Sequence, residues 1–192
     1  MCDGYHCIRA APERDLVWRD SASQTVKLGT EEVCMPVPQR ILDYLDSQKV
    51  SYECVPHAQA FAAQEVAQTL HVSGKRFAKP VVLEADGRLQ MAVIPASHRV
   101  DVHRLKLELD VKHLEIVPES ELAKFCPDCE LGAFPPLGNL YGMDVWVDRA
   151  LGRSEEIMFN AGSHTEAIRM KYADYARLVM PQVGNFADLV AA

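Results

Sequence analysis

The stretch Gly132-Ala-Phe-Pro-Pro-Leu-Gly138 holds residue types suited to building a small polar site from backbone alone. A glycine at each end lets the chain turn where a side chain would clash, and Pro135 and Pro136 stiffen the middle. Neither helix nor strand runs through such a segment, so it predicts a rigid loop able to present backbone N–H groups to a ligand. The plainer reading is a stiff connector between two strands, because Gly and Pro mark turns far more often than sites. Two other positions could add chemistry. Lys79 precedes Pro80, which forces it into extended backbone and sets where its side chain leaves the chain. His164 follows the turn Asn160-Ala-Gly-Ser163.

Cys126-Pro-Asp-Cys129 is a CxxC. A structural zinc site needs a second ligand pair, and none follows at a useful spacing. A thioredoxin-like motif stands between a strand and a helix start, whereas this one runs into the Gly-Pro loop. The pair therefore reads as two small, half-buried residues, and neither metal nor cofactor is expected. The chain has no G-x-S-x-G elbow, P-loop, G-x-G-x-x-G or H-E-x-x-H, which removes several common mechanisms. On the residues alone, a cation and backbone donors could meet in one pocket.

The 192 residues suit one ordinary domain, and an apolar share of 48% is enough to build a sizeable core. The longest apolar runs, such as Met91-Ala92-Val93-Ile94, are far too short to span a bilayer. The start Met-Cys-Asp-Gly-Tyr-His lacks the features of a secretory signal, so a cytoplasmic protein with reduced thiols is expected. A net charge of −7 argues against coating nucleic acid. It leaves room for a local basic face, because screening limits the reach of charge to about 8 Å. Two basic clusters are candidates: Lys75, Arg76 and Lys79, then His98, Arg99, His103, Arg104 and Lys106.

Regular structure becomes convincing at Pro36-Val37-Pro38. Pro38 suits the first turn of a helix, and Ile41, Leu42 and Leu45 repeat at helical spacing. Before that, Leu16-Val17-Trp18 and Val26-Lys27-Leu28 could be short strands of an arm over residues 1–34. A strand is predicted over Val50–Val55, then a helix over Ala62–Leu70. Asp86-Gly87 marks a hairpin between Phe77–Glu84 and Arg88–Pro95. Pro80 places its strand at an edge, or breaks it. A helix over Asp101–Leu109, a strand at Leu114–Val117 and a short helix from Pro118 follow. After the Gly-Pro loop come strands at Met143–Asp148, Glu156–Phe159 and His164–Met170, and a closing helix over Tyr172–Met180 that ends at Pro181. This order predicts an α+β fold, a single domain over residues 35–188 with a mixed, mostly antiparallel curled central sheet flanked by helices.

In this order the pieces resemble the YbaK/prolyl-tRNA synthetase-associated domain family, the trans-editing aminoacyl-tRNA deacylases. Val55-Pro-His57 precedes a helix with Ala63-Gln-Glu-Val-Ala67, and Gly74-Lys-Arg-Phe-Ala-Lys79-Pro-Val-Val-Leu83 is similar to the family's lysine-bearing strand. Ala92–Ala96 with Val100-Asp101, the loop Asp128–Gly138 and the turn Phe159–His164 complete the match. The resemblance implies hydrolysis, without a metal, of the ester joining a wrongly attached small amino acid to tRNA. It also implies the tRNA acceptor end as partner, with prolyl-tRNA synthetase as the enzyme whose errors are cleared. Lys79, Gly132 and His164 are then the catalytic candidates. His57, Ala133, Phe134, Pro135, Pro136, Gly138, Gly162 and Ser163 are the substrate-binding ones, and Phe134 and Met158 could shape the amino-acid pocket. A non-catalytic module that binds tRNA ends or a nucleotide is the alternative. Two positions depart from the family: Pro135 stands where many members carry Ser or Thr, and Pro80 where some carry Asn.

Overall fold

The computed structural model describes residues 7–9 by their backbone and residues 37–190 in full. The two short strands expected at 16–18 and 26–28 lie outside the described residues. β1 (Cys7–Arg9) adds an antiparallel edge to β2 (Tyr52–Pro56). β2 pairs with β9 (Glu166–Lys171), and β9 with β8 (Glu156–Asn160), which makes one four-stranded antiparallel sheet. A five-stranded sheet runs in the order β10 (Gln182–Gly184), β7 (Asp144–Asp148), β4 (Arg88–Pro95), β3 (Ala78–Ala85) and β6 (Leu114–Ile116). Its β4–β7 and β7–β10 pairs are parallel. An isolated bridge between Phe77 and Met158 connects the two sheets. β5 (His98–Val100) and β11 (Ala187–Leu189) form a separate ribbon.

The run Met91-Ala92-Val93-Ile94 is apolar throughout because both faces of the larger sheet are covered. Met91 and Val93 join the main core with Val82, Val145 and Val147. Ala92 and Ile94 face the opposite side, with Leu83, Leu105 and Phe186. Leu105 comes from α3 (Val102–Leu109), whose first turn is capped by the Asp101 carboxylate accepting from Arg104 N–H at 3.0 Å. α1 (Gln39–Ser47) opens immediately after Pro38 and buries Ile41 and Leu45 in the main core. The Asp86-Gly87 hairpin has φ of +46° and +80°, the left-handed pair that a two-residue turn of this hand demands.

Pro80 does not break its strand, and the edge it needs is local. β6 pairs only with Leu83–Ala85, leaving the first half of β3 uncovered on that side. Val82 turns its carbonyl toward β6, where it accepts from Val117 N–H at 3.0 Å. By the two-residue repeat of a strand, Pro80 presents its missing N–H on the same side. The uncovered stretch therefore has no unpaired donor at that point.

A buried carboxylate ties the last segment down. Asp148 is 1% exposed and accepts from Ala150 N–H at 2.8 Å, which caps α5 (Arg149–Gly152). Its other oxygen accepts from Phe186 and Ala187 N–H at 2.8 and 2.9 Å. Asp148→Ala should lower stability by roughly 3 kcal/mol, because three donors lose a charged acceptor. Urea unfolding reads this, and Asp144→Ala on the exposed side of the same strand should stay within about 0.5 kcal/mol of the parent.

Candidate active site

The uncovered half of β3 forms one wall of a cleft of about 370 Å³, near the low end of the ~300–1,000 Å³ usual for small-ligand sites. Phe61, Ala63 and Gln64 line it at the start of α2 (Ala63–Thr69), and Glu119 and Leu122 line it from α4 (Glu119–Leu122). Lys79, Gly132 and Phe134 line the same space. The lysine and the loop, far apart along the chain, thus share one cavity.

Lys79 Nζ donates to the His98 carbonyl at 3.0 Å and has no carboxylate within ion-pair range among the described residues. Burial holds its pKa below the ordinary lysine value. The two basic clusters approach each other here. His98 is held below the usual imidazole range, first by burial, and the charges of Lys75 and Lys79 push the same way. Arg104 belongs elsewhere: it is paired with Asp101 and Asp188.

In the loop, Gly132 has φ +87°, a conformation that other residues rarely adopt. The Ala133 N–H is occupied by Glu130 O at 3.0 Å, and the prolines have none. Between Gly132 and Pro136, the N–H groups of Gly132 and Phe134 have no partner among the described residues. Phe134 packs against Tyr141 with ring centroids 4.7 Å apart. Ala133, Pro135 and Pro136 are buried. Gly138, expected to contact substrate, does not line the cleft and is tightly packed. A Cβ there would stand 2.8 Å from Val145 Cγ2 and 3.2 Å from Met143 O, deep in the core. Met158 likewise packs with Val66 and Phe77 in a side core and does not line this cleft.

His164 does not open the strand but sits in the turn before β9, directly behind the loop. Its Nε2 is 2.8 Å from Leu131 O, and its backbone N–H is held by the Glu130 carboxylate. A carbonyl can only accept, so Nε2 is the donor in this bond. The ring packs against Phe61 in a tilted contact with centroids 4.7 Å apart, and its Cε1 is 3.5 Å from where a Gly132 Cβ would be. Gly162 turns at φ +87° against Pro38 and Cys129, each within 3.0 Å of its Cβ position, which leaves it no cleft face. His57 binds Ala58 O through Nδ1 at 2.8 Å, and its N–H reaches Thr165 O.

One corner gathers the unpaired polarity. The buried side-chain atoms without a partner among the described residues are His57 Nε2, Asn160 Oδ1, Ser163 Oγ and His164 Nδ1. All lie on the 160–164 turn or face it. Native structures leave few such groups, and they concentrate where a ligand or reaction uses them. Asn160, 4% exposed, also lines the cleft. Sequence reasoning passed over Asn160, Phe61 and Glu119. The available signal for Asn160 was a polar residue ending the apolar strand Ile157-Met-Phe159 one step before a glycine turn.

Cys126, Asp128 and Cys129 bring possible ligand atoms within 4.8 Å of one another. The two sulfurs, however, are 2.6 Å apart, whereas two thiolates on one tetrahedral zinc need about 3.8 Å.

Together these residues make an α+β domain with one small cleft, bordered by a half-buried ammonium group and the Gly132 loop. The sequence model of the aminoacyl-tRNA editing domain matches residues 57–178, and the chain belongs to that family. The Multifunctional Ser/Thr-tRNA deacylase ProXp-y of Escherichia coli strain K12 is 24% identical over 153 residues, covering 77% of this chain and 91% of that protein. Among solved structures, hypothetical protein APE2540 superposes with a TM-score of 0.70 at 14% identity, covering 78% of this chain and 99% of the other. A candidate trans-editing enzyme for prolyl tRNA synthetase superposes at 0.69 with 16% identity, covering 80% and 98%. At these identities the structural likeness is one of fold. Among the described residues, no helix is long and apolar enough to cross a membrane.

His57 carries a pH dependence. Burial, mainly, holds its pKa below the ordinary 6.5, with the nearby His164 pushing the same way. Below about 6.5 the unfolded chain binds the proton more readily than the fold, so this contribution is full above that pH and is lost as pH falls through the folded pKa. His57→Gln should flatten the acid limb of stability against pH between about 4 and 7, read by thermal melts.

Proposed function

We propose that this chain is an aminoacyl-tRNA deacylase acting in trans, and that its domain, residues 35–188, hydrolyses the ester of a small, wrongly attached amino acid. The observation that carries this reading is the shared cleft of Lys79, Gly132 and Phe134. An aminoacyl ester is already activated, so a positioned water, helped by the ribose 2′-hydroxyl, can attack its carbonyl without a protein nucleophile or metal. The developing oxyanion would be met by the free N–H groups of Gly132 and Phe134, which are in place before the reaction and cost no reorganisation.

Lys79 would hold the terminal phosphate or ribose oxygen of the acceptor end, the cation countering the anionic chain. His164, whose Nδ1 has no partner among the described residues, would orient the substrate or the water, and the Glu130 carboxylate and Leu131 carbonyl fix its turn and ring. Phe134 closes the side of the cleft where the amino-acid side chain would sit. Editing by a second enzyme is needed because one methylene discriminates by only about 1–3 kcal/mol. Prolyl-tRNA synthetase is the source of error this reading favours, and the cytoplasm its site. The curated relative's name makes serine and threonine, with alanine, the first amino acids to test.

Incubating the protein with a panel of mischarged tRNAs should release the small amino acid, unaffected by chelator. Gly132→Ala should lower kcat by about 10²–10³, the loss typical of a misplaced oxyanion donor. Lys79→Ala should raise KM as well as lower the rate. Binding of the tRNA without release would instead favour the non-catalytic module, and release that chelator abolishes would reject the proposed mechanism.

A further inference from the structure

The Cys126–Cys129 turn takes no part in that chemistry, yet it is built against the loop that does. Cys126 N–H reaches Leu122 O at 3.1 Å and Cys129 N–H reaches Cys126 O at 3.2 Å. This tight turn brings the sulfurs to 2.6 Å, about half an ångström from bonding distance. Cys126 is 1% exposed and also within 2.9 Å of the Tyr141 hydroxyl, while Cys129 is only half-buried. A shallow hollow lined by Cys126, Cys129, Glu130, Leu131 and Gly132 lies beside the pair.

We propose that Cys126 and Cys129 are an oxidisable pair that closes to a disulfide by exchange with a small-molecule disulfide, and that this covalent state resets the Gly132 loop. Cys129, as thiolate, attacks one sulfur of the small disulfide, forming a mixed disulfide and expelling one small thiolate, which takes up a proton. Cys126 then loses its proton and attacks the Cys129 sulfur, expelling the second small thiol. Two protein thiols are oxidised and one small disulfide is reduced to two thiols. The order follows from access, since Cys129 is the more open of the two. It also follows from acidity. The hydrogen bond from Cys126 holds the Cys129 thiol below its ordinary pKa, while that bond and burial push Cys126 up.

The strip after Cys129 carries the effect. Glu130 N–H binds Gly162 O at 2.8 Å, Glu130 O accepts from Ala133 N–H, and the Glu130 carboxylate holds His164 N–H. Cys129 Sγ is itself 3.0 Å from the Gly162 Cβ position. Moving Cys129 therefore moves both the turn that bears His164 and the loop that bears Gly132. This consequence rests on the deacylase reading; the thiol chemistry does not.

The test treats the reduced full chain with glutathione disulfide and maps the products by mass spectrometry. The peptide holding Cys126 and Cys129 should lose two hydrogens. Cys126→Ser should stop at a mixed disulfide on Cys129, and Cys129→Ser should slow attack at Cys126 by about tenfold or more. Deacylation should differ between oxidised and reduced protein by about two- to thirtyfold, the range open to coupling through packed contacts. The double variant Cys126→Ser/Cys129→Ser should show no such difference. A folded chain whose pair stays reduced, or one that binds Zn²⁺ added alone at one per chain and resists alkylation, overturns the proposal. A disulfide with unchanged deacylation overturns the coupling to the loop. A disulfide in a chain with no deacylase activity in either state upholds the pair and rejects the deacylase reading instead.

Discussion

Two adjacent prolines cannot donate a hydrogen bond, so the Gly132–Pro136 loop has to be held by what its carbonyls accept. Gly162 N–H binds Ala133 O at 3.0 Å, and the Tyr175 hydroxyl binds Pro136 O at 2.8 Å. Tyr175 is fully buried in α6 (Tyr172–Val179), so a helix late in the chain anchors a loop that lies before β7. Each bond is worth only about 1 kcal/mol net, but leaving such a carbonyl unpaired in the core would cost more. With the carbonyls turned inward and the Ala133 N–H satisfied within the loop, the Gly132 and Phe134 amides are what remains for a ligand. The site is the residue of a bonding constraint.

The cleft itself exists because a sheet stops short. β6 covers the last part of β3 only, and the proline at position 80 leaves no donor to recruit a further strand along the rest. The same local absence that keeps the edge from pairing leaves room for a substrate. Lys79 gains its place beside that opening because its extended backbone is set by the proline after it. Its ammonium is half-buried with a carbonyl for company, and burial disfavours its charge. That unfavourable placement, and the unpaired atoms of His57, Asn160, Ser163 and His164, are costs to stability gathered beside the candidate site.

Much of the fold could be read directly. The Pro38-led helix, the Asp86-Gly87 hairpin, the alternating strand after residue 143 and the helix ended by Pro181 each carry a local signal strong enough to survive packing. The strands His98–Val100, Gln182–Gly184 and Ala187–Leu189 carry none. They are three residues long, and their partners lie far off in sequence, so only tertiary pairing selects them. The site divides in the same way. Lys79, Gly132 and Phe134 were legible through backbone chemistry and motif order. Phe61, Glu119 and Asn160 are ordinary residues in ordinary elements, and nothing short of folding puts them on one cavity. Gly138 shows the converse: a motif residue whose lack of a side chain is already required by Val145 pressing on it.

The sequence by itself determined which backbone groups could be free and which side chain would be rigidly launched, because proline and glycine act on their immediate neighbours through covalent geometry. It could not determine that these groups face one another. That was decided by the tertiary structure, through the length over which β6 pairs with β3, the reach of Tyr175 to Pro136 and the seating of the 160–164 turn behind Gly132. Each is a contact between distant segments, and such contacts exist only once the whole chain has collapsed onto its cores.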